Sequence, residues 1–442
     1  MNWVQITPGA GGMYCGNCFR DNALAGALRR QGHQALLIPL YLPMTLDAPD
    51  QSLGTPVFFG GISVYLEQRS AWFRNLPAFA RRWLSHPALL RWASGKAAKT
   101  QAADVGDLTV SMLRGEQGFQ ASELDALIAW LRTQPKPDVI SLSNVMLVGL
   151  ARRLRSEINA PVYCMMQGED AFLDGLPEPF RSQAWTELAS RIREVDYLAA
   201  PTRYFAEHMA RRMNLPPDRV QIIANGINVQ DYHPNPHPRN PPVVGFFARQ
   251  CPEKGLDLLV EAFIRLQTRA GMGNVRLKIG GSHGPSDAAF VEAQKRKLGE
   301  AGLLDRAEFH PNLDRASKIR FYESLSVFSV PAHYGEAFGL YLAEAWAAGV
   351  PVVQPKVASF PELIEASGGG VLCEPRNSES LAEGLARLIN SPEEAVRLGA
   401  SGRTYAERCL TEDAMAERLV RWIAPQPKSS PSPRAPLSPA LS

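Results

Sequence analysis

Four charged side chains are spaced for chemistry on a phosphate and a polyol. In PAHYGEAFGLYLAEAWAAGVPVV, Pro331 to Val353, Glu336 and Glu344 stand eight positions apart. The pattern reads as a strand, a loop holding Glu336, and a helix that opens at Gly339 and carries Glu344. Both carboxylates then face the space above a sheet's C-terminal edge, where open α/β sheets bind ligands. The N–H groups of Gly339 and Leu340 are unpaired at the helix start and suit a phosphate. Carboxylates beside them accept hydrogen bonds from sugar hydroxyls. A single glutamate near a helix N-terminus is also favoured by the helix dipole alone, so the whole string carries this reading. The second pair is Arg249 and Lys254 in FFARQCPEKGLDLLVEAF, again in a loop after a strand. Arginine offers a bidentate fork and lysine a point charge, which together can neutralise a diphosphate. Either cation alone would read as a solvated surface residue. Glycine clusters follow two other strands, Gly9, Gly11 and Gly12 in one and Gly280, Gly281 and Gly284 in the other. Neither fits the dinucleotide-binding fingerprint.

Short apolar runs rich in β-formers alternate with stretches of helical period, the pattern of parallel sheets covered by helices. Strands are predicted at Trp3–Thr7, Ala35–Leu40, Asp138–Leu142, Val162–Met165, Val195–Ala200 and Val220–Ala224. Helices are predicted near Phe19–Arg30, Asn144–Glu157 and Tyr204–Met213. YHPNPHPRNPP, Tyr232 to Pro242, has neither period and reads as a linker. The alternation then restarts, with strands at Val243–Phe247, Val275–Ile279, Val327–Pro331 and Val352–Val353. The predicted organisation is a Rossmann-like domain over 1–231, with a basic and aromatic insert near 60–120. A second Rossmann-like domain over 243–405 follows, then a C-terminal helix over 406–424 packing back towards the first domain. Pro425–Ser442 is rich in Pro, Ser and Ala and reads as disordered. A cleft between two such domains is a favoured ligand site.

Composition narrows the classes. The 442 residues carry 47 basic and 44 acidic side chains, a net charge of +3, which argues against bulk nucleic-acid binding. No apolar run approaches the roughly 18 residues of a membrane span. The start, MNWVQITPGAGG, lacks the basic head and apolar stretch of a secretory signal, and six cysteines are too few for a disulfide scaffold. These features predict a cytoplasmic protein.

The constellation resembles the retaining glycosyltransferases of family 4, which have the two-domain GT-B fold. Glu336 and Glu344 match that family's glutamate pair, Arg249 and Lys254 its donor-phosphate cations, and IIANGINVQDYHP (Ile222–Pro234) its interdomain stretch. GGMYCGNCFRDNALAGALRRQGHQALLI resembles its N-terminal loop and helix, while Tyr41–Pro137 lies outside the resemblance. The resemblance implies two Rossmann-like parallel-sheet domains facing each other across a cleft, and a nucleotide-diphosphate sugar as donor. It implies that Glu344 holds the donor ribose, Glu336 contacts the sugar, and Arg249 and Lys254 bind the diphosphate. Phe338, Gly339 and Leu340 would form the floor, Gly281 would line the donor site, and Gly11 and Gly12 would close it from the first domain. It implies no metal and no cofactor, with charge on the leaving diphosphate stabilised by cations and a helix N-terminus.

Many relatives carry a histidine where this chain has Met166-Gln167-Gly168-Glu169-Asp170; Gln167 cannot serve as a base, and Gln167, Glu169 and Asp170 are the candidate acceptor-side residues, though a polar loop after a strand can equally be structural. Cys15-Gly16-Asn17-Cys18 precedes a helix, a position that can lower a thiol pKa, but one such pair supplies only two metal ligands. Small packed thiols are the default there. Between Gln68 and Ala103 stand seven basic residues, no acidic one, and Trp72, Phe73, Phe79, Trp83 and Trp92. Such a segment can rest on an anionic membrane or grip an anionic acceptor, and it can equally be a helical hairpin with buried tryptophans. Alternatives to transfer are a nucleotide-sugar epimerase or phosphorylase on the same architecture, or a non-catalytic nucleotide-sugar-binding protein.

Overall fold

The computed structural model describes residues 1–9, 16–52, 54–59, 106–234 and 237–424. It holds two six-stranded sheets in which every strand pair is parallel. The first runs β2-β1-β3-β4-β5-β6, from β1 (Asn2–Thr7), β2 (Gln34–Pro39), β3 (Val139–Leu142), β4 (Val162–Met165), β5 (Tyr197–Ala200) and β6 (Val220–Ile222). The second runs β12-β11-β10-β7-β8-β9, from β7 (Val243–Phe247), β8 (Arg276–Gly281), β9 (Ala307–Pro311), β10 (Val327–Phe328), β11 (Val352–Pro355) and β12 (Gly370–Cys373). This is the predicted α/β class with two doubly wound sheets. The outermost strands β9 and β12 escape the sequence reading, for reasons taken up below.

The strands are apolar because helices cover both sheet faces. VISL of β3 and VYCM of β4 are buried at every position. The second sheet has one continuous core, running from Val244 and Phe246 through Leu277, Phe328 and Trp346 to Leu385. The first sheet has a core on each face. One face takes Ile6, Ile140, Leu142, Leu154 and Phe205. On the other, Trp3 and Tyr163 pack against Leu24 and Leu28 of the helix Gly16–Arg30, and against Met415, Leu419 and Ile423 of the helix Glu412–Ile423. The last described helix therefore completes the core of the first sheet.

Among the described residues, the chain passes between the halves twice. Near residue 227 it leaves the first sheet, and near residue 411 it returns. The two passages lie side by side: Ile227 N–H donates to Leu410 O at 2.8 Å, and Glu412 N–H donates to Ile227 O at 3.2 Å. Tyr232, the first residue of the predicted linker, is buried in the second core. Among the described residues, no helix is long and apolar enough to cross a membrane. The segment Gln68–Ala103 and the tail Pro425–Ser442 lie outside the described residues.

Candidate functional site

The order of the second sheet brings its loops together. From β7 the chain winds outward to β8 and β9, then crosses back to place β10 on β7's other side, with Val327 opposite Val244 and Phe328 opposite Gly245. The loops after β7 and β10 then diverge from one point at the C-terminal edge, the place where doubly wound sheets bind ligands. The first carries Arg249 and Lys254 and the second carries Glu336. Gly255, at φ +74°, lets the first loop close on the second, since a Cβ there would overlap the carbonyl of Pro331. Above this edge lies a cleft of about 360 Å³ that reaches residues of both halves.

Lys254 and Glu336 form an ion pair inside the cleft, with side-chain exposures of 20% and 11%. Tyr334 accepts from Lys254 Nζ at 2.6 Å and donates to Glu336 Oε1 at 3.3 Å. Burial works to lower the Lys254 pKa, but the Glu336 carboxylate and the Tyr334 oxygen outweigh it and raise it. Burial and the adjacent Glu336 push Tyr334 up to about 12. The ammonium is thus fixed and permanently charged at neutral pH.

Arg249 reaches the cleft from the opposite wall with its side chain 55% exposed. Asp287 holds it at 2.8 Å and is itself fixed by the N–H of Gly284 at 3.1 Å. Phe338, Gly339 and Leu340 line the floor, and Gly281 lines the cleft beside Ala248. Gly339, at φ +79°, turns the chain into the helix Leu340–Ala347, and Glu344 stands on that helix's second turn. Its Oε1 lies 2.8 Å from Lys318 Nζ, and its Oε2 accepts from the Tyr322 hydroxyl at 2.9 Å. Lys318 also reaches Asp47 of the first half at 2.7 Å.

The first half closes the cleft with Gly16, Asn17, Phe19, Asp47, Gln167 and Asn225. Gln167 and Asn225 exchange amide hydrogen bonds of 3.1 and 3.0 Å. Two candidates for acceptor contact stand elsewhere. Glu169 is buried, and its carboxylate accepts from the N–H groups of Val145 and Gln167 at 3.2 and 2.8 Å. Strand-end amides facing away from water require such an acceptor, so Glu169 shapes the turn that presents Gln167. Asp170 lies 3.0 Å from His208 Nε2 and does not line the cleft. Gly11, Gly12 and Cys15 lie outside the described residues, and Cys18 is buried.

The sequence reading therefore placed Arg249, Lys254, Gly281, Glu336, Phe338, Gly339, Leu340, Glu344 and Gln167 in what proves to be one cleft. It missed Asp47, Lys318, Tyr322 and Asp287, which belong to no motif, and also Asn225 and Tyr334, which lie inside the quoted strings but were not singled out.

Comparison with known proteins agrees with this geometry. The family model "Glycosyltransferase Family 4" matches residues 101–231, and "Glycosyl transferases group 1" matches residues 230–405. A D-inositol 3-phosphate glycosyltransferase of Saccharomonospora viridis is 29% identical over 230 residues, covering 49% of this chain and 53% of that protein. A protein of the same description from Corynebacterium glutamicum is 27% identical over 241 residues, covering 52% and 57%. The chain spans about half the length of these curated relatives. Among solved structures, Anabaena HepE in complex with UDP has a TM-score of 0.65 at 16% identity, covering 96% of this chain and all of that one. Sucrose-phosphate synthase from Thermosynechococcus elongatus has a TM-score of 0.69 at 17% identity, covering 96% and 98%. The two facing sheets are the GT-B architecture of glycosyltransferases. Within it, the chain belongs to glycosyltransferase family 4.

Proposed function

We propose that the protein is a retaining glycosyltransferase that moves a sugar from a nucleoside-diphosphate donor to an acceptor bound against the first half. The observation that carries this is the convergence of Arg249, Lys254, Glu336, Glu344 and the helix start at Gly339 in one cleft. The diphosphate lies between the two cations and the N–H groups of Gly339 and Leu340, which stabilise the charge that develops as it leaves. A carboxylate offers about four acceptor sites. Lys318 and Tyr322 use one on each oxygen of Glu344, leaving one on each for the two hydroxyls of a ribose. Glu336, steadied by Lys254 and Tyr334, accepts from hydroxyls of the transferred sugar.

Transfer then proceeds on one face of the sugar. The bond from the anomeric carbon to the diphosphate oxygen breaks as the acceptor oxygen bonds to that carbon. The acceptor's hydroxyl proton passes to the departing phosphate oxygen, so no carboxylate nucleophile is called on. With two side-chain cations at the diphosphate, the reaction is proposed to run without a metal.

The test is calorimetric titration with UDP, GDP and ADP, followed by hydrolysis of the matching nucleoside-diphosphate glucose. Binding of one nucleotide that is lost in Lys254→Met and weakened in Glu344→Ala supports the reading. Absence of binding by all three defeats it.

A further inference from the structure

Lys318 is the one described side chain in the cleft that ion-pairs with a carboxylate from each half. It lies on the helix Arg315–Glu323 of the second half, with Asp47 Oδ2 at 2.7 Å and Glu344 Oε1 at 2.8 Å. All three side chains are nearly enclosed, with exposures of 12%, 14% and 15%. Burial works against the ammonium, but Glu344 and Asp47 outweigh it and raise its pKa, so Lys318 stays charged. One ammonium between two carboxylates leaves a net negative site, which favours hydroxyl donors over anions.

The neighbours of Asp47 belong to the first half. Its segment is held to the helix Gly16–Arg30 by Asn22, whose side chain donates to Pro49 O at 3.0 Å and accepts from Gln51 N–H at 2.8 Å. Glu344 is anchored in the second half by the Tyr322 hydroxyl. A movement of one half against the other therefore stretches the Asp47–Lys318 contact before it disturbs either segment. Other described contacts between the halves use different residues. Thr202 Oγ1 donates to Ala337 O at 2.8 Å, and Glu362 accepts from the N–H groups of Arg203 and Tyr204 at 2.9 and 3.0 Å. The first of these contacts holds the loop of Glu336, while Lys318 is the described side chain that links Glu344 to a carboxylate of the first half.

We propose that Lys318 is a positioning residue that couples the seating of a donor nucleoside on Glu344 to closure of the first half through Asp47. The proposal rests on the donor-site reading above. A ribose held by Glu344 fixes that carboxylate, Glu344 fixes Lys318, and Lys318 offers Asp47 an ordered partner. By linkage, closure then strengthens nucleotide binding by the same factor as binding favours closure.

The test uses the full chain and the tightest binder among UDP, GDP and ADP. Calorimetry gives its affinity, and amide hydrogen exchange over residues 41–51 reports closure, in wild type and in Asp47→Asn, Lys318→Met and Lys318→Arg. In wild type, saturating nucleotide is expected to slow exchange across 41–51. Asp47→Asn and Lys318→Met are expected to bind on the order of tenfold more weakly, the usual scale of coupling between sites. They should also lose the slowing even when saturated. Lys318→Arg, which can still serve both carboxylates, is expected to restore both readouts. Slowing of wild-type size in saturated Asp47→Asn and Lys318→Met would overturn the coupling and leave the donor site standing. Failure of wild type to bind any of the three nucleotides would overturn the donor site and the coupling together.

Discussion

Replacing Lys254 by methionine keeps the methylene stem and removes the charge, which separates two roles. Without ligand, Glu336 is left 11% exposed with Tyr334 as its remaining named partner. Breaking a fully buried pair costs about 3–5 kcal/mol. Lys254 is one-fifth exposed, so screening brings the expected cost down to about 2 kcal/mol. In a half of this size that is a fall in Tm of about 4–8 °C. With ligand, a unit charge roughly 4 Å from the diphosphate is worth about 4 kcal/mol at an effective dielectric of 20. Part of this is recovered by water, so nucleotide affinity is expected to fall about 10²-fold and turnover about 10²–10³-fold. The assay pairs calorimetry with nucleotide release from the nucleoside-diphosphate glucose and a thermal melt. Adding Glu336→Gln removes the stranded carboxylate, so the double variant should regain most of the lost Tm and none of the affinity. Affinity and turnover within about twofold of wild type, beside a lowered Tm, would show that the pair only holds two loops together and would refute the donor-phosphate assignment.

Asp287→Ala frees Arg249 from its fixed orientation, and nucleotide affinity is expected to fall about three- to tenfold with little change in Tm; an unchanged affinity would show that Arg249 needs no orienting. The raised pKa of Lys254 keeps it charged throughout the accessible range, so nucleotide affinity should be flat from about pH 7 to 9 and decline only below the terminal phosphate's pKa near 6. A loss of affinity centred between pH 7 and 9 would contradict a charged Lys254. Excess EDTA is expected to leave sugar-nucleotide hydrolysis unchanged, and activity lost in EDTA and restored by Mg²⁺ would end the metal-independent reading. If Gln68–Ala103 guides an anionic acceptor, wild type should sediment with anionic liposomes at low salt and release them at high salt, and Arg81→Glu/Arg82→Glu should not bind. Failure of wild type to sediment at low salt would remove the membrane from consideration.

What the sequence disclosed depended on how local each arrangement is. Glu336, Gly339 and Glu344 lie on one strand–loop–helix unit, so their shared direction follows from the order of elements. Arg249 and Lys254 join them because both loops leave the same sheet edge, which the parallel alternation already implied. Lys318 and Asp47 are 271 residues apart, and RASKIRFYE shows no period that marks one side chain. Their meeting depends on how the halves sit, which no local pattern encodes. The strands β9 (AEFHP) and β12 (GVLC) were missed because edge strands are half-covered and need no full apolar run; β9 has no buried position, and β12 opens on glycine. Glu169 kept two readings because a carboxylate after a strand looks the same in sequence whether it faces a ligand or its own backbone. Burial and two N–H donors favour the second of these readings.

The paired passages at Ile227 and Thr411 set the mechanics of the molecule. A single covalent tether would let the halves swivel, slide and tumble against one another. Two strands bonded side by side behave like a door hinge, which bends readily about one axis but resists torsion, because twisting would break the Ile227–Leu410 and Glu412–Ile227 bonds. If the halves open and shut as proposed, the motion is confined largely to one coordinate, and shutting brings Asp47 back to Lys318 and Thr202 back to Ala337. The same topology makes the halves poor candidates for separation. A cut after residue 242 strips the first half of Met415, Leu419 and Ile423, and leaves the second carrying an apolar helix with nothing to cover it. The core of the first half is therefore complete only with the helix Glu412–Ile423 in place.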